Sequence, residues 1–209
     1  RHLREVAGAV AAGLQGLGLQ PRQTVAIMLP TSREYFFAYF GVLLAGGIPV
    51  PIYPPARPAQ IEEHVRRHIG ILANAGARIL VTMPEAMPVA RLLEAGVFGL
   101  RRVVTVAGLT ADSPPTPVAL RADDIAFIQY TSGSTGNPKG VVLTHANLLA
   151  NIRAIGQAIR VEPADVFVSW LPLYHDMGLI SAWLVSLYFG NPLVVMSPLA
   201  FLARPERWL

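Results

Sequence analysis

The chain has 209 residues, enough for one sizeable core or two small ones. It is 53% hydrophobic and 14% charged, carries a net charge of +4 and contains no cysteine. That excludes disulfides, thiolate catalysis and cysteine-ligated zinc or iron–sulfur centres, and the modest basic clusters at His64–His68 and Arg101-Arg102 fall short of the long stripe that nucleic-acid binding needs.

In chain order, Leu3, Val6, Val10, Leu14 and Leu17 recur at helical spacing and predict a helix over 1–17, ended by Gly18. Thr24 to Leu29 reads as a short apolar strand. Thr31 or Ser32 is the expected cap of a helix from Arg33 to about Ala45. Gly46-Gly47 ends that helix and Ile48 to Ile52 reads as strand. Strand, helix, strand is the unit of a parallel sheet covered by helices, so the expected class is α/β with layered sheets. Tyr53 to Pro58 holds three prolines and Arg57, and must be a stiff loop.

A helix over 60–74 follows, with His64 and His68 four apart. The pair is read as exposed helix surface, since no acidic residue completes a zincin pattern. Strands are expected at 77–82 and 102–106, with a short helix at 87–95 between them. The turn-rich segment 108–117 reads as a flexible connection, and a sub-lobe boundary is placed near 108–122. Ile125 to Tyr130 is strand, Val141 to Leu143 is strand, and Thr144 caps a helix to about Ile159. A strand at 166–170, a corner at 173–176, an apolar helix at 179–189, a strand at 193–196 and a last helix from Pro198 complete the pattern.

Two uncharged runs, 35–56 and 177–203, reach the length of a membrane span. Gly46-Gly47 with four prolines breaks the first, and Gly190-Asn191-Pro192 the second. Both read as buried helix followed by buried strand. Nothing resembles a secretory signal, so the expected compartment is the cytoplasm.

The chemistry concentrates between the strands at 125–128 and 141–143. Thr131-Ser132-Gly133-Ser134-Thr135-Gly136-Asn137-Pro138 are all small or turn-forming, and Lys139, the sole lysine, follows. Glycines let the backbone approach a ligand. Successive free amides form an anion nest, hydroxyls add donors, and the lysine adds charge. Phosphate suits this best. The spacing matches neither a Walker A loop nor a kinase glycine loop. A flexible linker is the bland alternative, disfavoured between two strands. The second constellation is Ser169-Trp170-Leu171-Pro172-Leu173-Tyr174-His175-Asp176-Met177-Gly178. There His175 either pins a corner or faces a ligand.

Tyr130 to His145 resembles the phosphate-binding motif of the adenylate-forming superfamily. With the second constellation, the proline loop and the end Pro198 to Leu209, the chain most resembles fatty-acyl-AMP ligases over essentially its whole length. The resemblance implies the front part of a large N-terminal domain, incomplete at 1–209, with the adenine motif, ribose-binding aspartate, hinge and C-terminal domain lying elsewhere. It implies ATP with Mg²⁺, a fatty acid, and transfer to an acyl carrier protein, with CoA as the alternative acceptor.

By the same resemblance Thr131, Ser132, Gly133, Ser134, Thr135 and Gly136 hold the β- and γ-phosphates. Lys139 balances their charge. His175 stands near the substrate carboxylate, with Asp176, Met177 and Gly178 at the head of the acyl pocket. Metal contact falls to phosphate, with no protein ligand here. The fragment alone is expected to be inactive. A nonenzymatic nucleotide-binding module and a purely structural partner domain are the readings from other classes. Neither explains the constellation at His175.

Overall fold

The structure, a computed structural model, describes residues 1–55, 58–131 and 138–208. Helix α1 (His2–Gly16) leads into β1 (Thr24–Met28), α2 (Arg33–Leu44), β2 (Ile48–Ile52), α3 (Ile61–Ala75), β3 (Ile79–Thr82), α4 (Met87–Gly96) and β4 (Arg102–Thr105). The four strands form a parallel sheet in the order β2-β1-β3-β4.

The alternation of side chains along a strand explains why this sheet is apolar on both faces. Val25, Ile27, Ile79 and Val81 point into one core, shared with α1 and α2. Ala26, Met28 and Leu80 point into the other, shared with α3 and α4. Helix α3 ends where Gly76 takes φ 62°, a left-handed cap that lets the chain turn back toward β3.

Three further units extend the first core. Strands β5 (Ile125–Thr131) and β6 (Lys139–Thr144) form an antiparallel hairpin. Thr144 then caps α5 (His145–Ala158) as expected: its hydroxyl accepts from Asn147 N at 3.1 Å, and Asn147 Oδ1 accepts from Thr144 N at 3.2 Å. Strands β7 (Phe167–Ser169) and β8 (Leu193–Val195) pair in parallel. Between them run a π-helix (Met177–Leu184) and the short α6 (Val185–Phe189). The sequence pattern predicts an ordinary helix here. The π-helical stretch holds Gly178 against the preceding corner, and such stretches recur at functional sites. The last helix is broken after α7 (Pro198–Ala203) by Arg204, whose backbone leaves helical geometry.

The connection at 108–117 does not behave as a loose tether. Gln15 on α1 donates to Thr116 O at 2.9 Å and accepts from Thr116 N at 2.8 Å, while Leu109 is buried. A side-chain amide can mimic a strand partner, which apolar periodicity does not register. Apolar residues left exposed gather on the two small sheets, at Val141, Val142, Val168 and Val194. No helix among the described residues is long and apolar enough to cross a membrane.

Candidate functional site

The hairpin places the two ends of the glycine- and hydroxyl-rich segment side by side. Thr131 and Lys139 are cross-strand partners at its mouth, and Tyr130 pairs with Gly140. Gly140 packs closely there: a Cβ would lie 3.0 Å from the Tyr130 ring. The Tyr130 hydroxyl donates to Asn74 Oδ1 at 2.5 Å, tying the hairpin to α3. Thr131 and Lys139 are exposed, and among the described residues no carboxylate pairs with the lysine. Ser132, Gly133, Ser134, Thr135 and Gly136, and also Arg57 of the proline loop, lie outside the described residues.

The His175 corner is held beside this mouth by two buried side chains that sequence reasoning missed. Gln129 of β5 donates to Tyr174 O at 3.0 Å, and Tyr35 of α2 donates to Leu173 O at 2.7 Å. Both partners are backbone carbonyls, so both bonds fix the course of the chain rather than one rotamer. Burial pushes the Tyr35 phenol well above its ordinary range, which keeps it a neutral donor. Gln129 was legible in principle, as the polar residue at the end of a buried apolar strand. Tyr35 was not, because a tyrosine on an apolar helix gives no sign that its hydroxyl reaches a loop far along the chain.

At the corner, His175 Nδ1 lies 2.5 Å from Asp176 Oδ1, and the same oxygen accepts from Met177 N at 2.8 Å. One carboxylate thus orients the imidazole and caps the following helix. The imidazole and the carboxylate are both largely exposed. Met177 is exposed as well, which excludes core packing. Gly178 is buried with its open side against Pro172: a Cβ would sit 2.2 Å from that carbonyl oxygen. Of the aromatics near the corner, Trp183 is buried in the core, whereas Phe189 is exposed at the surface beside Gly156.

His64 and His68 correct the reading of exposed helix surface. Both are buried, their rings stack at 3.9 Å, and Tyr53 packs edge-on to each, at 5.2 and 4.5 Å. The apolar stripe of α3 does not mark this face, because what covers it is the start of the proline loop. His68 Nδ1 bonds to His64 O at 2.7 Å, while neither Nε2 has a partner among the described residues. Burial lowers both pKa values, that of His68 to about 4.

The unfolded chain therefore takes up protons first. Stability is fully present above pH ~6.5 and falls as the pH drops toward 4, by roughly 3 kcal/mol from His68 alone. Denaturant titrations across that range should show the loss, and His68→Leu should flatten it. An unchanged slope in the variant would refute the assignment.

Among the described residues no group of three side chains could hold a metal ion. A depression of about 500 Å³, lined in part by Thr31, Phe36, Trp183 and Asn191, includes neither His175 nor Lys139.

A parallel sheet covered by helices, followed by a strand hairpin tied through Gln129 to the backbone of the histidine corner, is a layered α/β architecture. The chain belongs to the AMP-binding enzyme family, whose model matches residues 1–209. It is 40% identical over 206 residues to the long-chain-fatty-acid–AMP ligase FadD32 of Mycolicibacterium smegmatis, covering 96% of this chain and 32% of that protein. It is 34% identical to the medium-chain-fatty-acid–[acyl-carrier-protein] ligase TtuA of Teredinibacter turnerae, covering 100% of this chain and 38% of that protein.

Among solved structures, a fatty acyl-adenylate ligase of L. pneumophila in complex with acyl adenylate and pyrophosphate matches with a TM-score of 0.87 at 34% identity, over 99% of this chain and 36% of that one. The chain spans about a third of the length of the curated relatives it matches.

Proposed function

We propose that this chain supplies the phosphate-gripping part of a fatty-acyl-AMP ligase acting in the cytoplasm. In that reaction a fatty-acid carboxylate oxygen bonds to the α-phosphorus of ATP, the bond from that phosphorus to the bridging oxygen breaks, and pyrophosphate leaves with the electron pair. The observation that carries the reading is the pairing of Thr131 with Lys139 at the mouth of the hairpin. It brings the two ends of the intervening hydroxyl- and glycine-rich segment side by side, with one hydroxyl and one ammonium there. Those groups fit a polyphosphate chain, where positioning and charge neutralisation supply most of the catalysis.

Ser132, Gly133, Ser134, Thr135 and Gly136 complete the grip in this reading. Bound with ATP, Mg²⁺ would neutralise phosphate charge, and we assign it no ligand from this chain. His175, oriented by Asp176, faces the carboxylate and α-phosphate and steadies developing negative charge. A carboxylate nucleophile needs no general base, so the imidazole is given no proton to remove. Met177 and Gly178 stand at the entrance of the acyl pocket.

The acceptor of the acyl group is an acyl carrier protein, with CoA as the second reading. Two relatives described as fatty-acid–[acyl-carrier-protein] ligases favour the first. The exposed apolar faces of β6 and β8 are covered, in this reading, by further polypeptide of the same enzyme, and the 209 residues alone are inactive.

The test is fatty-acid-dependent exchange of pyrophosphate into ATP by the whole protein that carries this segment. Lys139→Ala should lower the exchange rate ~10²-fold, the scale of losing one charge-stabilising donor. Exchange that ignores fatty acid, or a fully active Lys139→Ala protein, would overturn the reading.

A further inference from the structure

Away from this site, the turn after α4 carries a side chain that the proposed ligase chemistry does not use. Phe98 has a relative exposure of 106%, the highest of any large apolar residue among those described. The turn that presents it is rigid. Gly99 N and Leu100 N both donate to Val97 O, at 2.9 and 3.2 Å, and Val97 and Leu100 are buried in the second core. The ring is therefore held outward by two anchored neighbours rather than left on a slack loop.

Arg78 and Arg101 line the same depression as the ring. Arg78 Nη1 lies 3.7 Å from where a Gly99 Cβ would be, and Arg101 follows the turn directly. Arg101 N donates to Arg78 O at 2.8 Å, and Arg102 is the register partner of Ile79. The pairing of β3 with β4 thus brings three guanidiniums to one end of the sheet. None of the three forms an ion pair among the described residues. Glu94, the one acidic residue bordering the turn's depression, is already paired with Arg91 at 2.6 Å.

From the projecting ring and the uncompensated arginines around it, we infer that this end of the sheet docks on the surface of an anionic lipid bilayer, with Phe98 entering the headgroup–acyl boundary and Arg78, Arg101 and Arg102 on lipid phosphates. Guanidinium is the side-chain cation best matched to phosphate oxygens. A free phosphate ester would satisfy the arginines and offer the ring nothing. A protein partner would need a socket that excludes water around the ring. Here the ring instead borders an open depression of about 560 Å³, and Arg78 and Arg101 also line a second of about 310 Å³. A fluid bilayer fills such irregular surroundings. The contact is peripheral and independent of the ligase reading.

Co-flotation of the whole protein that carries this segment with phosphatidylcholine vesicles, with and without about one-third phosphatidylglycerol, tests it. Binding should require the anionic lipid. Phe98→Ala should weaken it about tenfold, the lower end for a buried aromatic ring. The double variant Arg101→Glu/Arg102→Glu should weaken it more than about tenfold, and so should high salt. All three side chains are exposed, so the variants should melt like the parent. Absence of binding to anionic vesicles would overturn the inference, as would binding indifferent to Phe98→Ala. Equal binding to neutral vesicles would assign the effect to the exposed strands and also overturn it. Displacement by millimolar glycerol phosphate would assign the arginines to a soluble ester and would overturn it equally.

Discussion

Trp183→Ala should remove ~3–5 kcal/mol of stability, the range for truncating a large aromatic in a packed core. Trp183 is nearly buried and stands at the centre of an aromatic cluster. Its ring meets Tyr35, Phe36, Tyr39 and Phe40 edge-on, at 6.3, 4.6, 5.3 and 5.1 Å. Those four residues all lie on α2, whereas Trp183 comes from the π-helix after the His175 corner. The indole thus links the parallel sheet's helical layer to the segment that follows the corner.

Truncation would also open the void toward the neighbouring depression, which Trp183 and Phe36 already line. The loss is a large share of the ~5–15 kcal/mol that holds a typical domain together. A urea titration of the parent and the variant measures it directly. A shift worth less than about 1 kcal/mol would mean that the corner is held by its hydrogen bonds and not by this cluster.

Gly178→Ala is the second large effect, and it reaches the proposed chemistry. The added Cβ would meet Pro172 O at 2.2 Å, Pro172 C at 2.8 Å and Leu171 O at 2.9 Å. All three are backbone atoms, so no rotamer relieves the clash. The corner cannot give freely either, because Tyr35 and Gln129 hold the carbonyls of Leu173 and Tyr174. The π-helix must therefore move away from the corner, at about 1–3 kcal/mol or more.

His175 lies between the two and would move with them. A displacement of that order in a positioning residue costs ~10²-fold in rate, so pyrophosphate exchange by the whole protein should fall by about that factor. The imidazole resonances of His175 should shift in the same variant. Gly70→Ala, on α3 where a Cβ would meet nothing within 4 Å, is the matched control and should change neither readout. A Gly178→Ala protein with parental stability and exchange would show that the corner is softer than its hydrogen bonds suggest.

Local chemistry made much of this legible beforehand. The β1–α2–β2 unit lies within a residue of where apolar runs and Gly46-Gly47 placed it, because burial on both faces leaves a strand no room for polar residues. The Thr144 cap was readable because a capping hydroxyl acts within three residues of itself. The His64–His68 pair was misread because it is covered by a residue distant from it along the chain, Tyr53.

Taken alone, then, the order of residues determined the family, the run of strands and helices, and which segment has the chemistry of a phosphate grip. Those properties are written in short stretches, where backbone freedom, side-chain period and hydroxyl or amide donors act on near neighbours. Only the folded chain decided that Thr131 faces Lys139, that Gln129 and Tyr35 fasten the His175 corner, and that Phe98 shares a depression with Arg78 and Arg101. Such contacts depend on strand register and on cores that close between segments far apart in the chain, and no local pattern encodes which distant partner a side chain will meet.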